Sequence, residues 1–156
     1  MNQTRRNLLR ASGSATVVAL AASAGVFKSG PLHAADWNKA AFDTKSLQDT
    51  VKAFGGSAAT ESKDIVITSP DIAENGAVVP VSVSSKLGKT ESISILVEKN
   101  PNALSAAFDI PSGTEPFVST RVKMGQTSNV HALVKADGKY FYATKEIKVT
   151  LGGCGG

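Results

Sequence analysis

The chain has 156 residues, 42% hydrophobic and 19% charged, which is the size and balance of one globular domain and excludes a collagen-like or fully disordered chain. A single cysteine excludes a disulfide-stapled mini-protein. The net charge of +4 comes from Arg5, Arg6, Arg10 and Lys28, because 17 basic residues less these four leave 13 against 13 acidic ones; the body is neutral, and a whole-chain pI of about 9.3 is no argument for nucleic acid or an anionic membrane.

Residues 1–35 read as an export signal: a polar, basic start, an apolar small-residue run from Ala15 to Phe27, and small residues at Ala34 and Ala35, after either of which cleavage is expected. The run is 13 residues long, short of the about 20 that a membrane span needs. Arg5 and Arg6 stand together in Thr4 to Arg10, a string that resembles the twin-arginine export motif. The plainer alternative is an ordinary secretory signal that carries two arginines. The twin-arginine reading places the mature protein in the periplasm and matters for partners, because that route moves folded proteins, sometimes with a companion that has no signal of its own.

The remaining chain divides into a domain over residues 36–151 and a glycine-rich arm over residues 152–156. Trp37, Ala40, Ala41, Thr44, Leu47, Val51 and Phe54 recur at three- and four-residue steps and predict one amphipathic helix, ended by Gly55-Gly56. Gly56 to Lys63 reads as a loop. From Asp64 the period becomes two. Strands are predicted from Ile65, across Val78 to Val83, over Ile93–Val97, Ala106–Ile110, Val118–Met124 and Val130–Lys135, and from Tyr140 to Leu151. Pro80 lacks an amide donor and predicts a strand edge or bulge. Asp137-Gly138 between two alternating runs predicts a tight hairpin whose central residues have positive φ. About seven short strands at regular spacing predict a mainly β protein, an antiparallel sandwich of immunoglobulin-like kind with one leading helix.

Catalytic motifs are sparse in the sequence. After the signal there is one histidine, His131, and one cysteine, Cys154, too few for an ordinary structural zinc site. No Walker-type glycine loop and no Gly-x-Ser-x-Gly elbow occurs. His131 alternates with an apolar face and reads as solvent-facing or interfacial. Asp71 and Glu74 flank Ile72 beside a turn, where acids are usually solvated.

The last five residues, Gly152-Gly153-Cys154-Gly155-Gly156, carry the chemistry. An unpaired cysteine in an exported chain points to an intermolecular bond or a functional thiol. The four glycines leave the sulfur sterically open and give the segment wide conformational freedom. Extended at about 3.4 Å per residue, Cys154 reaches roughly 14 Å beyond Thr150. No base or cation neighbours it within the segment, so the thiol is not activated by its own arm and a partner must supply activation. That is the behaviour of a carrier. Two rivals stand beside it: a thiol enzyme, such as a peroxidase or transferase using Cys154 with His131, and a non-catalytic adhesion or chaperone-like sandwich.

The Gly-Gly-Cys-Gly-Gly segment, the twin-arginine signal and the all-β body together resemble the SoxY family, the carrier subunits of the bacterial thiosulfate-oxidising (Sox) system. Pro70 to Gly76, running on to Val79-Pro80-Val81, also looks like a stretch of that family, and physically it reads as a turn entering an edge strand. The resemblance implies a non-enzymatic carrier with no bound cofactor, its sulfur substrate held covalently on Cys154. It implies a heterodimer with a SoxZ subunit, loading by the cytochrome SoxAX, hydrolysis by SoxB, and in some organisms oxidation by the sulfane dehydrogenase SoxCD. Gly152, Gly153, Gly155 and Gly156 would then be the swinging arm.

Overall fold

The structure, a computed structural model, describes residues 38–150. Arg5 and Arg6 of the expected export signal, and Gly152, Gly153, Cys154, Gly155 and Gly156 of the expected arm, lie outside the described residues.

The predicted single helix is two: α1 (Lys39–Phe42) and α2 (Leu47–Ala53). The break is chemical. Ser46 adopts an extended conformation and its hydroxyl accepts from the Asp49 amide at 3.1 Å, while the same hydroxyl donates to the Asp49 carboxylate at 2.7 Å, a cap that starts a new helix inside the periodic run. Thr44 stays buried in the break because its hydroxyl bonds the Ala41 carbonyl at 2.6 Å and the Thr50 hydroxyl at 2.7 Å. α2 ends as predicted. The Gly56 amide donates to Val51 O at 2.8 Å and the Gly55 amide to Lys52 O at 2.9 Å, with Gly55 at φ +84°, the paired bonds of a left-handed helix stop. No helix among the described residues is long and apolar enough to cross a membrane.

Nine strands follow: β1 (Ala59–Glu61), β2 (Ile65–Thr68), β3 (Ile72–Ala73), β4 (Val79–Ser85), β5 (Thr90–Val97), β6 (Leu104–Asp109), β7 (Phe117–Val122), β8 (Ser128–Ala136) and β9 (Lys139–Val149). The seven predicted strands are present. The two additions, β1 and β3, are very short and pair parallel with β9, so the sandwich is not purely antiparallel. Neither could be read locally, because two or three residues hold no period and their partner lies far along the chain.

The larger sheet runs β1-β9-β8-β5-β6 with β3 also on β9; the smaller runs β2-β4-β7. The Asp137-Gly138 hairpin closes with Ala136 opposite Lys139, at φ +48° and +72°, as its turn type requires. Pro80 sits in the central strand of the smaller sheet, yet beyond the last β2 pair, Thr68 opposite Ser82. There β4 has one neighbour, which is how a central strand accommodates a proline.

The two sheets share one core. Val79, Val81 and Val83 of β4 face Ile93, Ile95 and Val97 of β5 and Val130, Ala132 and Val134 of β8, all buried; each such valine or isoleucine contributes about 1.5–3 kcal/mol on burial. The larger sheet is covered on its other face as well. Leu96, Leu133 and Tyr140 pack there against Ala41 and Val51 of the helices. The Tyr140 hydroxyl donates to Phe54 O at 2.9 Å, and its ring lies so close to Gly56 that an added Cβ would stand 2.6 Å away.

The candidate functional site at the end of the last strand

β9 is the strand that leads the chain toward Cys154, so its last residues are where the described chain meets the expected arm. Past Ile147, opposite Ser128, β8 no longer pairs with it. The end of β9 is then held from both sides by other means. On one side β3 and the residue before it supply acceptors: the Lys148 amide donates to Asp71 O at 2.9 Å and the Thr150 amide to Ala73 O at 3.1 Å. On the other side the Thr127 hydroxyl accepts from the Val149 amide at 3.0 Å. Lys145 adds an ion pair to Asp71 at 2.9 Å and donates to Ser69 O at 2.7 Å.

The segment Asp71–Val78 is thus a strap over the end of β9. It is turned by Asn75, whose side chain accepts from the Ala77 amide at 2.9 Å, a local turn that asparagine favours. Gly76 is buried where the strap crosses the β7–β8 loop. Its carbonyl accepts from the Met124 amide at 2.7 Å, and a Cβ there would collide with the Met124 carbonyl and come within 2.9 Å of Val149 Cγ1. The β5–β6 loop closes the same end: Asn100 Nδ2 donates to Lys123 O at 2.7 Å, beside a cleft of about 340 Å³ lined by Asn100, Pro101, Lys123 and Gly125. Asp71 and Glu74 are exposed, as predicted, but Asp71 is a structural clamp through both its carboxylate and its carbonyl. The sequence singled out the Pro70–Gly76 stretch as a turn; that it fastens the end of β9 was illegible, because the bonds span 77 residues.

Of the two readings of His131, solvent-facing or interfacial, the first is corrected: its side chain is only 14% exposed. Nδ1 bonds the Thr144 hydroxyl at 2.8 Å, Nε2 lies 3.8 Å from the Glu98 carboxylate, and the ring meets Tyr142 edge-on. Burial pushes the imidazole below its ordinary pKa, against the opposing pull of Glu98. It belongs to the helix-side face of the larger sheet, where a polar ring on an otherwise alternating strand is covered by neighbours that the sequence could not place. Among the described residues, no three His, Cys, Asp or Glu side chains gather as a metal ion would need.

A family model for sulfur oxidation protein SoxY matches residues 50–154. The chain belongs to the SoxY family. The SoxY match opens inside α2, spans all nine strands and ends on Cys154. The structure of the sulfur carrier protein SoxY from Chlorobium limicola f thiosulfatophilum is 40% identical, with 67% of this chain and 96% of that chain covered at a TM-score of 0.62. A superoxide reductase (neelaredoxin) from Ignicoccus hospitalis aligns at 21% identity, covering 55% of this chain and 80% of that chain at a TM-score of 0.48, too distant to bear on function. No curated protein matches. The mainly β, immunoglobulin-like sandwich is therefore the SoxY fold, built here from two packed sheets with two short helices on the larger one.

Proposed function

We propose that this SoxY-family chain is a periplasmic covalent sulfur carrier in thiosulfate oxidation, exported by the twin-arginine route through Arg5 and Arg6, with Cys154 as the attachment site. The observation that carries the reading is the SoxY match running to residue 154, the position of the chain's one cysteine. The pinned end of β9 supports it, since a fixed root gives a short arm of Gly152, Gly153, Gly155 and Gly156 a defined working radius.

The chemistry needs no cofactor on this chain. The Cys154 thiolate and the outer sulfur of thiosulfate form a sulfur–sulfur bond, and the two electrons released pass to the c-type cytochrome SoxAX. Water then displaces the sulfonate at SoxB, giving sulfate, two protons and a persulfide on Cys154. Where SoxCD is present, the persulfide's outer sulfur is oxidised to a sulfonate with loss of six electrons, and a second hydrolysis returns the thiolate. The carrier performs no turnover by itself; a thiol with no activating neighbour in its arm suits delivery to partner sites better than catalysis. A SoxZ subunit completes a heterodimer, to be checked by the size of the co-expressed protein, where a monomer at micromolar concentration counts against it.

Cys154→Ser tests the central step. The variant keeps size and arm freedom but removes the thiol. It is expected to fold and bind its partner while losing all thiosulfate-dependent activity. Wild type given thiosulfate and the cytochrome gains about 112 Da on the peptide holding Cys154, removable by a thiol reductant that attacks the sulfur–sulfur bond. Full activity in Cys154→Ser, or an adduct on another residue, overturns the carrier reading and favours the thiol-independent adhesion module.

A further inference from the structure

We propose that the Asp71–Val78 strap is the docking surface for the enzymes that receive the arm, with Ile72 and Val78 as its apolar contacts; the inference rests on the carrier reading above. Among the described residues four large apolar side chains stand exposed: Ile72 at 56%, Val78 at 51%, Phe117 at 50% and Val66 at 42%. They fall into two places. Val66 and Phe117 lie in one cross-strand row of the smaller sheet, on either side of Ser84. Ile72 and Val78 lie on the strap.

The length of chain beyond the described residues decides between them. Cys154 can reach roughly 14 Å from Thr150 in a fully extended chain. Any enzyme acting on its sulfur must therefore bring the mouth of its active site to the end of the sandwich where β9 stops. Ile72 pairs with Lys148, two residues before Thr150, or about 7 Å along the strand. The Val66–Phe117 row lies at the level of Ser84, five residues along β4 from Val79 at the arm's end, and that is about 17 Å at strand rise. An enzyme seated on that row alone would hold its active site beyond most of the arm's range.

The strap also has the form of a transient contact. Its two exposed apolar side chains stand in a segment that also exposes Asp71 and Glu74, with exposed Lys148 opposite Ile72 on β9, so apolar groups are interspersed with charge. An area this small belongs with weak, exchanging encounters rather than permanent assembly, and a carrier that visits several enzymes must let go of each. The strap is stiff for a loop: it is tied to β9, to Met124 and to itself by the bonds already described, so it presents Ile72 and Val78 at a fixed offset from the arm's root. The occupant is thus the rim of a narrow active-site opening no deeper than the arm, with an apolar recess to take these two side chains.

The test compares Ile72→Glu with Val78→Glu against a control, Val66→Glu with Phe117→Glu, in the full-length protein. The readout is thiosulfate loading of Cys154 by the purified cytochrome partner at varied carrier concentration, followed by intact mass. Alkylation of Cys154 by iodoacetamide and thermal melting are measured in parallel. The strap variant is expected to need at least tenfold more carrier for half-maximal loading, with the maximal rate, alkylation rate and melting temperature as in wild type, and with the control unchanged. Ile72→Ser with Val78→Ser, which adds no charge, must move the half-maximal concentration the same way even if the glutamate pair unfolds. Loading of the strap variants at wild-type concentrations, or a shift confined to the control, overturns the proposal while leaving the carrier reading intact. Failure of wild type to load at all defeats the carrier reading and this one with it.

Discussion

Gly76 offers a direct test of how tightly the end of β9 is held. Its φ is not in the left-handed region, so alanine is free to adopt its backbone conformation; the difficulty is space. A Cβ would strike the Met124 carbonyl and stand 2.9 Å from Val149 Cγ1. Both obstacles are fixed, one being backbone and the other a branched side chain in the β9 end that the strap holds. Overpacking of this kind costs about 1–3 kcal/mol. Moving the strap outward also stretches the bond from the Met124 amide to Gly76 O, now 2.7 Å, worth about 1 kcal/mol. Against these, alanine lowers the entropy of the unfolded chain and recovers about 0.4–1 kcal/mol. The balance is a loss of about 1–3.6 kcal/mol, and at roughly 4 °C per kcal/mol for a domain of this size the melting temperature falls by about 4–14 °C. Gly88→Ala is the matched control, because nothing lies within 4 Å of its added Cβ and its φ is not positive; its melting temperature stays level or rises slightly. Thermal unfolding followed by circular dichroism measures both. If Gly76→Ala melts with wild type, or Gly88→Ala loses as much, the close packing at the end of β9 is refuted.

Three further outcomes follow from the same physics. His131→Gln keeps a polar side chain beside Thr144 but removes the titration: burial lowers the folded imidazole pKa below the ordinary 6.5, so wild type loses stability as pH falls through 6.5 and below, where the unfolded chain binds the proton first. The wild-type advantage should therefore shrink between pH 7 and 5 in urea melts, and a gap that widens on acidification would reverse the assigned shift. Gly152→Val with Gly153→Val stiffens the arm through branched side chains; sulfur loading is expected to drop steeply with the melting temperature unchanged, and a marked loss of stability would show that the arm packs on the body. Replacing Arg5 and Arg6 by lysine should leave precursor in the cytoplasm, and normal periplasmic yield would rule out twin-arginine routing.

Local sequence determined a large part of this protein. A period of two from Asp64 onward, with valine and isoleucine on one face, is enough to make strands, since each inward side chain must bury against something. Asp137-Gly138 named its own hairpin, and Gly55-Gly56 its helix stop, because those backbone conformations are intrinsic to the residues. The sole cysteine among glycines raised the expectation of a carrier thiol from adjacent residues alone, and that expectation lies outside the described residues. Other features waited for the tertiary structure. A helix period runs through Asp43 to Lys45 unchanged, and only the Thr44–Thr50 hydroxyl pair and the Ser46 cap show that the helix breaks there. β1 and β3 have too few residues to carry a pattern and exist because β9 offers them an edge. His131 alternates like a solvent-facing residue, yet the helix side of the larger sheet covers it. The strap shows the division most clearly: Asn75-Gly76 reads locally as a turn, while the strap's task of holding Lys148 and Thr150 depends on backbone groups distant in sequence. Hydrogen bonds between remote main-chain atoms leave no mark on side-chain periodicity, so the fastening of the end of β9 could be located only once the chain was folded.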